Sequence, residues 1–192
     1  MTKLKFDLLD DESAMETIET VGNLADENNI DWALAGGLAV ILYGNDRLTK
    51  DVDIIASKRL PLESEGNLVQ GGARYTIKTA KRDVAVDWIT RTDEAKKFYE
   101  RALKDAVLIA DTPILTAEWL VILKYIAGRF KDQEDGVFLL RKKDLVDRQK
   151  LKQMVIEIGG NETWAAFKSG LERWYELADG RKTPVKEGYI DS

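Results

Sequence analysis

Histidine and cysteine are both absent from this 192-residue sequence. Without cysteine there are no disulfides, no thiolate nucleophile and no zinc–thiolate site. Without histidine the side chain that titrates nearest neutrality is missing, which removes Ser-His-Asp triads, zinc–histidine hydrolases and histidine general bases. Any chemistry must come from carboxylates, lysine and arginine, hydroxyls and backbone amides. Carboxylates without His or Cys suit hard cations such as Mg2+ best. Proline is scarce at 3 residues and glycine moderate at 14, which argues against a disordered chain. No apolar run approaches the ~18 residues that a membrane span needs, and no signal-peptide pattern opens the chain. A soluble, cytoplasmic protein with no membrane partner is expected. Positive charge is in deficit: 29 Lys and Arg against 34 Asp and Glu leave a formal net charge of −5. That balance disfavours non-specific nucleic-acid binding and leaves only a local basic patch for such a role.

What is present suffices for one domain, or a small domain with a helical appendage. Hydrophobic residues make up 44% and charged residues 33%, so the surface should be densely ionic around a core large enough to need no staples. The spacing predicts a helix over Asp11–Asn28 with Met15, Ile18, Val21, Leu24 and Ala25 on its buried face, opened by a capping box of Ser13 and Glu16. A strand over Ile30–Ala35 leads into Gly36-Gly37 and a short helix, Leu38–Tyr43, and a turn at Gly44-Asn45-Asp46 precedes a second strand, Asp51–Ala56. Ser57–Ala73 reads as a long loop, and Tyr75–Thr79 and Val84–Ile89 flank a hairpin turn at Lys81-Arg82-Asp83. A helix over Asp93–Asp105 and an extended stretch, Val107–Leu115, follow. From Thr116 onward the pattern is helical: Thr116–Phe130, Asp132–Leu140, Asp144–Ile158 ended by Gly159-Gly160, and Asn161–Ala178 with Trp164, Phe167, Leu171, Trp174 and Ala178 on one stripe. Arg181–Ser192 reads as a loose tail. The layout is a mixed α/β half to about residue 110 followed by a helical half.

The chemistry concentrates in Gly36-Gly37, followed after a spacer by Asp51-Val52-Asp53. Strand alternation points Asp51 and Asp53 the same way, with Val52 turned into the core. Two adjacent carboxylates repel unless a cation sits between them. Paired glycines just after a strand and opening a helix allow close backbone approach and leave amides for a phosphate. Asp87 adds a lone carboxylate inside the otherwise apolar Val84–Ile89, which is costly unless it is paired or bound to metal. Each feature alone is ordinary: an Asp-x-Asp is common, Gly-Gly is often a turn, and Asp87 could sit at an exposed strand end. It is their order and context that point to one site.

Ala35-Gly36-Gly37, Arg47-x-Thr49-x-Asp51-x-Asp53 and the later Asp87 resemble the nucleotidyltransferase fold of the DNA-polymerase-β superfamily. Within it, the sequence is most similar to the abortive-infection, toxin–antitoxin type nucleotidyltransferases. Leu123-Lys124-Tyr125-Ile126-Ala127-Gly128-Arg129-Phe130-Lys131-Asp132-x-x-Asp135 resembles that family's Lys-x-x-Ala-x-Arg-x-x-Asp-x-x-Asp helix. The resemblance covers roughly residues 30 to 140. It implies an α+β fold, a small mixed sheet flanked by helices and followed by a C-terminal helical bundle. Residues 1–112 would form the catalytic domain, 113–180 the helical domain and 181–192 the tail.

The resemblance further implies a nucleotidyltransferase that moves an NMP from an NTP, ATP among them, to a hydroxyl acceptor. Asp51 and Asp53 would hold two Mg2+ ions, with Mn2+ able to substitute, and Asp87 would join that metal set and help activate the acceptor hydroxyl. Gly36 and Gly37 would cradle the phosphates, supported by Arg47 and Thr49. Lys124 would bind the triphosphate, with Arg129 and Asp132 counted in the nucleotide site. Many relatives have Ser in place of Gly37, and without that hydroxyl the phosphate grip rests more on backbone amides. A toxin-type enzyme would take tRNA as acceptor and have a cognate antitoxin as partner. A protein hydroxyl, or a small molecule such as an aminoglycoside or lincosamide, remains an alternative, as does a catalytically idle binding protein or antitoxin on the same fold. Retention of all three carboxylates plus Lys124 argues against idleness, because an idle site has no need to hold clustered like charges.

Helical spacing supports Lys124 separately. Lys124, Gly128, Asp132 and Asp135 are spaced to form one polar stripe on a helix whose other faces carry Trp119, Leu120, Leu123, Ile126, Ala127 and Phe130. The plainer reading of that stripe is a solvated face with ordinary Lys–Asp pairing, and Arg129 could simply pair with Asp132 or Glu134. A basic cluster, Arg141, Lys142, Lys143, Arg148, Lys150 and Lys152, is either a solvated helix face or an approach for RNA, with Lys78, Lys81 and Arg82 as further candidates. Other Asp-x-Asp enzymes fit less well: haloacid-dehalogenase-like phosphatases place the motif on the first strand, and nucleotide-sugar glycosyltransferases need a longer α/β region before it.

Overall fold

A computed structural model describes residues 8–181. Helix α1 (Asp11–Glu27) is capped by Asp10, whose carboxylate accepts from the Ser13 amide at 3.0 Å, rather than by Ser13. Ser13 donates its hydroxyl back to Asp10, and Glu16 reaches the Ala80 amide of a distant turn at 3.0 Å instead of closing a capping box. The buried face is Ala14, Ile18, Val21 and Ala25, while Met15 is exposed.

Strand β1 is only Trp32–Leu34, and Ile30 is buried just before it. Helix α2 (Gly36–Leu42) follows at once, then β2 (Asp51–Ala56). The expected loop at 57–73 contributes β3 (Gly66–Asn67), and the hairpin is longer than its sequence pattern, with β4 at Gly72–Lys78 and β5 at Asp83–Ile89. Helix α3 (Lys96–Lys104) precedes a second hairpin, β6 (Val107–Ile109) and β7 (Thr112–Ile114), which turns at Ala110 and Asp111 with positive φ. The seven strands form one mixed sheet in the order β3-β4-β5-β2-β1-β7-β6. β2 runs parallel to β5 and antiparallel to β1, and β1 runs parallel to β7.

Alternation divides the central strands, except at Ile55, which is buried on the Asp51–Asp53 face. Val52, Ile54, Val84, Val86 and Trp88 are fully buried, whereas Asp51, Asp53, Ala85 and Asp87 are only partly covered. α1 packs against β2, β4 and β5.

The helical half differs from its expected outline at one decisive point. Helix α4 (Ala117–Ala127), capped by Thr116, ends at Gly128 in the left-handed conformation (φ 68), and α5 (Phe130–Arg141) starts anew. Phe130 is exposed rather than on a buried stripe. The last segment, α6 (Arg148–Ala178), is capped by Asp147 and broken at Gly160 (φ 78, ψ −179), as the Gly159-Gly160 pair suggested. Leu171 and Trp174 are buried, while Trp164, Phe167 and Ala178 only lean on the core. α4, α5 and α6 pack on one another, and one contiguous core includes residues of both halves. Apart from Arg181, the segment read as a tail lies outside the described residues. No described helix is long and apolar enough to cross a membrane.

Candidate active site

Sheet register brings the acidic residues together. Asp51 and Asp53 are two apart on β2, and Asp53 pairs in register with Asp87 on the parallel strand β5, so all three rise from one face. Across the sheet the order is Asp87 on β5, then Asp53 on β2, then the start of α2, which follows β1 on the far side of Asp53 (Ala35 N to Asp53 O 2.9 Å) and packs against β2. Asp53 is pressed against Gly36: a Cβ there would stand 1.9 Å from Asp53 Oδ2, and Gly36 has φ +58. Only glycine accommodates both constraints. The Gly37 amide donates to Asp53 Oδ2 at 3.2 Å, so one amide expected to await a phosphate is already engaged. Burial, then the neighbouring Asp51 charge, push the Asp53 carboxyl above its ordinary range, with Asp87 adding to this and Gly37 and Lys124 opposing it.

Gly37 has a second neighbour. A Cβ there would lie 2.2 Å from Arg47 Nη2 and 3.1 Å from Thr49 Oγ1. The space a serine side chain would fill is therefore taken by the Arg47 guanidinium. Arg47 is itself held by Asp135 (Nε–Oδ1 2.7 Å, Nη2–Oδ2 3.1 Å), and Thr49 donates to Asp51 Oδ1 at 3.2 Å.

Lys124 meets its carboxylates across the α4–α5 turn, not along one helix. The break at Gly128 removes the single stripe expected for Lys124, Gly128, Asp132 and Asp135, and instead folds α5 back so that Lys124 Nζ lies 3.0 Å from Asp132 Oδ1 and 2.6 Å from Asp135 Oδ2. The lysine side chain is only 6% exposed. Arg129 grips Asp132 from the other side (Nε–Oδ2 2.6 Å, Nη2–Oδ1 3.1 Å). Burial works against ionisation of Asp132, but the Arg129 hydrogen bond and the Lys124 charge outweigh it and hold the carboxyl below its ordinary range. Gly36, Asp53, Lys124, Arg129 and Asp132 all line one small cavity of about 50 Å³.

One further residue joins the site. Arg74 on β4 stands in register opposite Asp87 and binds it twice, Nε–Oδ1 at 2.7 Å and Nη2–Oδ2 at 2.9 Å. The sequence pattern begins this strand at Tyr75, which leaves Arg74 outside it. The signal was present, because the hairpin register pairs Lys78 with Asp83 and hence Arg74 with Asp87.

The donor set bears on a metal. Among the described residues no three acidic side chains are grouped so as to hold an ion as they stand. Asp87 faces Arg74, and Asp51 accepts from Thr49. The Asp51–Asp53 pair does fit a hard divalent cation: its donors are all oxygen, and the like charges that push Asp53 upward are what a cation would relieve. Asp87 could join only by leaving Arg74.

The basic cluster is largely occupied within the molecule. Arg148 binds Asp179 (Nη2–Oδ1 2.6 Å) and stacks over Tyr175, Lys150 pairs with Glu118 at 3.2 Å, and Lys142 donates to the Tyr43 carbonyl at 2.8 Å. On the β4–β5 turn, Lys81 pairs with Glu12.

No protein-family model matches the sequence, and no curated protein sequence matches it. Among solved structures the chain is similar to an antigenic nucleotidyltransferase-like protein from Paracoccidioides brasiliensis, at 14% identity over 90% of this chain and 93% of that one, with a TM-score of 0.51. JHP933 from Helicobacter pylori is 15% identical over 91% of this chain and 96% of its own, with a TM-score of 0.49. Identity this low speaks to the fold alone. With its mixed sheet, its helices and its C-terminal helical bundle, the chain has the nucleotidyltransferase-like fold.

Proposed function

We propose that the protein is a Mg2+-dependent nucleotidyltransferase that moves an NMP from an NTP to a hydroxyl acceptor. The observation that carries this reading is the convergence of Asp51, Asp53 and Asp87 on one sheet face, with Asp53 seated on Gly36 at the start of α2. Transfer of this kind depends on positioning and on neutralising charge, so it needs neither histidine nor cysteine. Asp51 and Asp53 would hold the metal, which when bound supplies the charge that offsets the transferring group. The acceptor's hydroxyl oxygen bonds to the α-phosphorus as the bond from that phosphorus to the pyrophosphate oxygen breaks, and Asp87, once released by Arg74, takes the hydroxyl proton. Gly36 and Gly37, on the β1 side of Asp53, would receive the phosphates, the Gly37 amide once Asp53 releases it. Lys124 and Arg129 line the same cavity, and to meet the departing pyrophosphate they would have to turn from the Asp132 and Asp135 carboxylates that hold them. The finer reading, a toxin-type enzyme that modifies tRNA and answers to an antitoxin, rests on the Lys124–Asp135 resemblance.

The test is incubation with each α-labelled NTP, Mg2+ and extracts of RNA, protein and small molecules. Label should move to one acceptor class, and Asp51→Asn and Asp53→Asn should each abolish transfer. Wild-type activity in either variant at saturating Mg2+ would sink the assignment.

One observation favours a second reading. Asp87 is satisfied by Arg74, and the Gly37 amide by Asp53, so the site is internally paired as it stands. A catalytically idle binding protein would look like this, and calorimetry separates the two: metal-dependent NTP binding supports the enzyme, and its absence the idle fold.

A further inference from the structure

A cleft of about 790 Å³ adjoins the carboxylate cavity at the C-terminal ends of β2 and β5. Ile55, Ile89 and Tyr99 line both, so the two share a wall. Ile55 follows Asp53, and Ile89 follows Asp87, by two residues on the same face, which is about 7 Å along each strand. The volume suits a small ligand or one end of a larger one, for which pockets run about 300–1,000 Å³.

The lining carries a charge opposite to that of the whole chain. Lys58, Arg91, Lys96 and Lys104 line it against Asp31 and Glu100, in a protein whose net charge is −5. Arg91 is the fixed member. Its side chain is 13% exposed, Asp93 holds Nε at 2.9 Å and Nη2 at 2.6 Å, and the guanidinium stacks over Tyr99 at 4.9 Å. Its Nη1 has no hydrogen-bond partner among the described residues. An immobilised guanidinium with spare donors is suited to the planar recognition of a phosphate.

Resting on the function proposed above, we propose that this cleft receives the acceptor, and that the acceptor bears a phosphate which Arg91 grips. The order across the sheet gives the direction. Phosphates of the NTP belong at α2, beyond Asp53, and the attacking hydroxyl belongs over Asp87 on the other side, because attacking and leaving oxygens lie in line. A hydroxyl over Asp87 has the floor at Ile89 directly behind it, and the rest of the acceptor then runs toward Arg91. Such a lining disfavours a polycationic acceptor. A phosphorylated sugar and the 3′-terminal nucleotide of an RNA share the required chemistry.

The experiment is calorimetric titration of metal-free protein, without NTP, with ribose 5-phosphate, with ribose, and with a short single-stranded RNA ending in a 3′-hydroxyl. Ribose 5-phosphate should bind at least about tenfold more tightly than ribose, the effect of one charge-assisted contact. Arg91→Gln should erase that preference, and Lys97→Gln, on the exposed side of α3, should preserve it. RNA binding tighter than the sugar phosphate, and equally dependent on Arg91, identifies an RNA end; sugar phosphate binding without RNA binding identifies a small ester. No preference over ribose, or a preference that survives Arg91→Gln, overturns the proposal. In the transfer assay Arg91→Gln should raise KM for the acceptor and leave KM for the NTP unchanged; a rise confined to the NTP assigns the cleft to the nucleotide and also overturns it. Phosphate-selective binding in a protein that transfers nothing would count against the proposed function and not against this site.

Discussion

Arg74 holds Asp87, the carboxylate assigned above to the proposed metal set. Its guanidinium makes two hydrogen bonds to that carboxylate and also feels Asp51 and Glu65, and the Asp87 bond is the main reason it stays firmly protonated. Any metal that recruits Asp87 must displace this contact. In Arg74→Ala, Mn2+ should bind about fivefold more tightly, a change of ~1 kcal/mol, read from the free-ion electron paramagnetic resonance signal; equal or weaker binding means that Arg74 does not compete. Asp53 behaves in the opposite sense. Its carboxyl is raised by burial and by Asp51, so the metal-free fold bears a cost that builds as pH rises above the unfolded value of 3.8 and is complete above the raised pKa. Asp53→Asn removes the cost while its amide oxygen still accepts from Gly37. Scanning calorimetry at pH 7.5 without metal should show a Tm about 2–4 °C higher, the equivalent of ~1 kcal/mol in a chain of this size. A lower Tm would show that the charge is already compensated.

At the scale of elements, the α4–α5 turn decides what Lys124 is for. A buried ammonium between two buried carboxylates ties the two helices together, and removing it strands both acids. Lys124→Ala should cost about 3–5 kcal/mol in urea unfolding, the usual penalty for breaking a buried ionic cluster from one side. The exposed Lys131→Ala should cost under about 0.5 kcal/mol. Equal effects would mean that the cluster contributes nothing. The kink in α6 offers a second element-level test. Gly160 has open space where a Cβ would go, but φ 78 with ψ −179 is a conformation that L side chains avoid. Gly160→Ala should therefore destabilise by about 1–3 kcal/mol from backbone strain alone. Gly128, at φ 68, lies in the milder left-handed region, and Gly128→Ala should cost closer to ~1 kcal/mol. If the two cost the same, α6 straightens to relieve the strain.

For the molecule as a whole, the ionic network sets the acid limit. Asp132 is held below its ordinary range, so its contribution is present above the unfolded carboxylate value of 3.8 and is lost as pH falls through the folded pKa. In metal-free protein, urea midpoints should hold or rise from neutral pH to about pH 4, as Asp53 sheds its cost, and then fall, and Asp132→Asn should flatten that fall. A wild-type midpoint that declines between pH 7 and 5 would place the sensitive group elsewhere. What the sequence determined by itself was local. Alternation of Asp-Val-Asp in an apolar strand, a glycine pair opening a helix, and the helical periodicity after Thr116 are written within a few residues of one another, and they fixed the α/β-then-helical layout and the acidic pair. Tertiary structure decided the rest. Asp87 meets Asp53, and Arg74 meets Asp87, only through strand pairing across the hairpin and the parallel β2–β5 register. Lys124 reaches Asp132 and Asp135 only because one left-handed glycine ends α4, where periodicity alone continued the helix through Phe130. Arg47 fills the space above Gly37 because Asp135, 88 residues away, holds it there. Contacts between residues far apart in the chain leave no periodic trace, since what selects them is the burial and charge pairing that only packing creates.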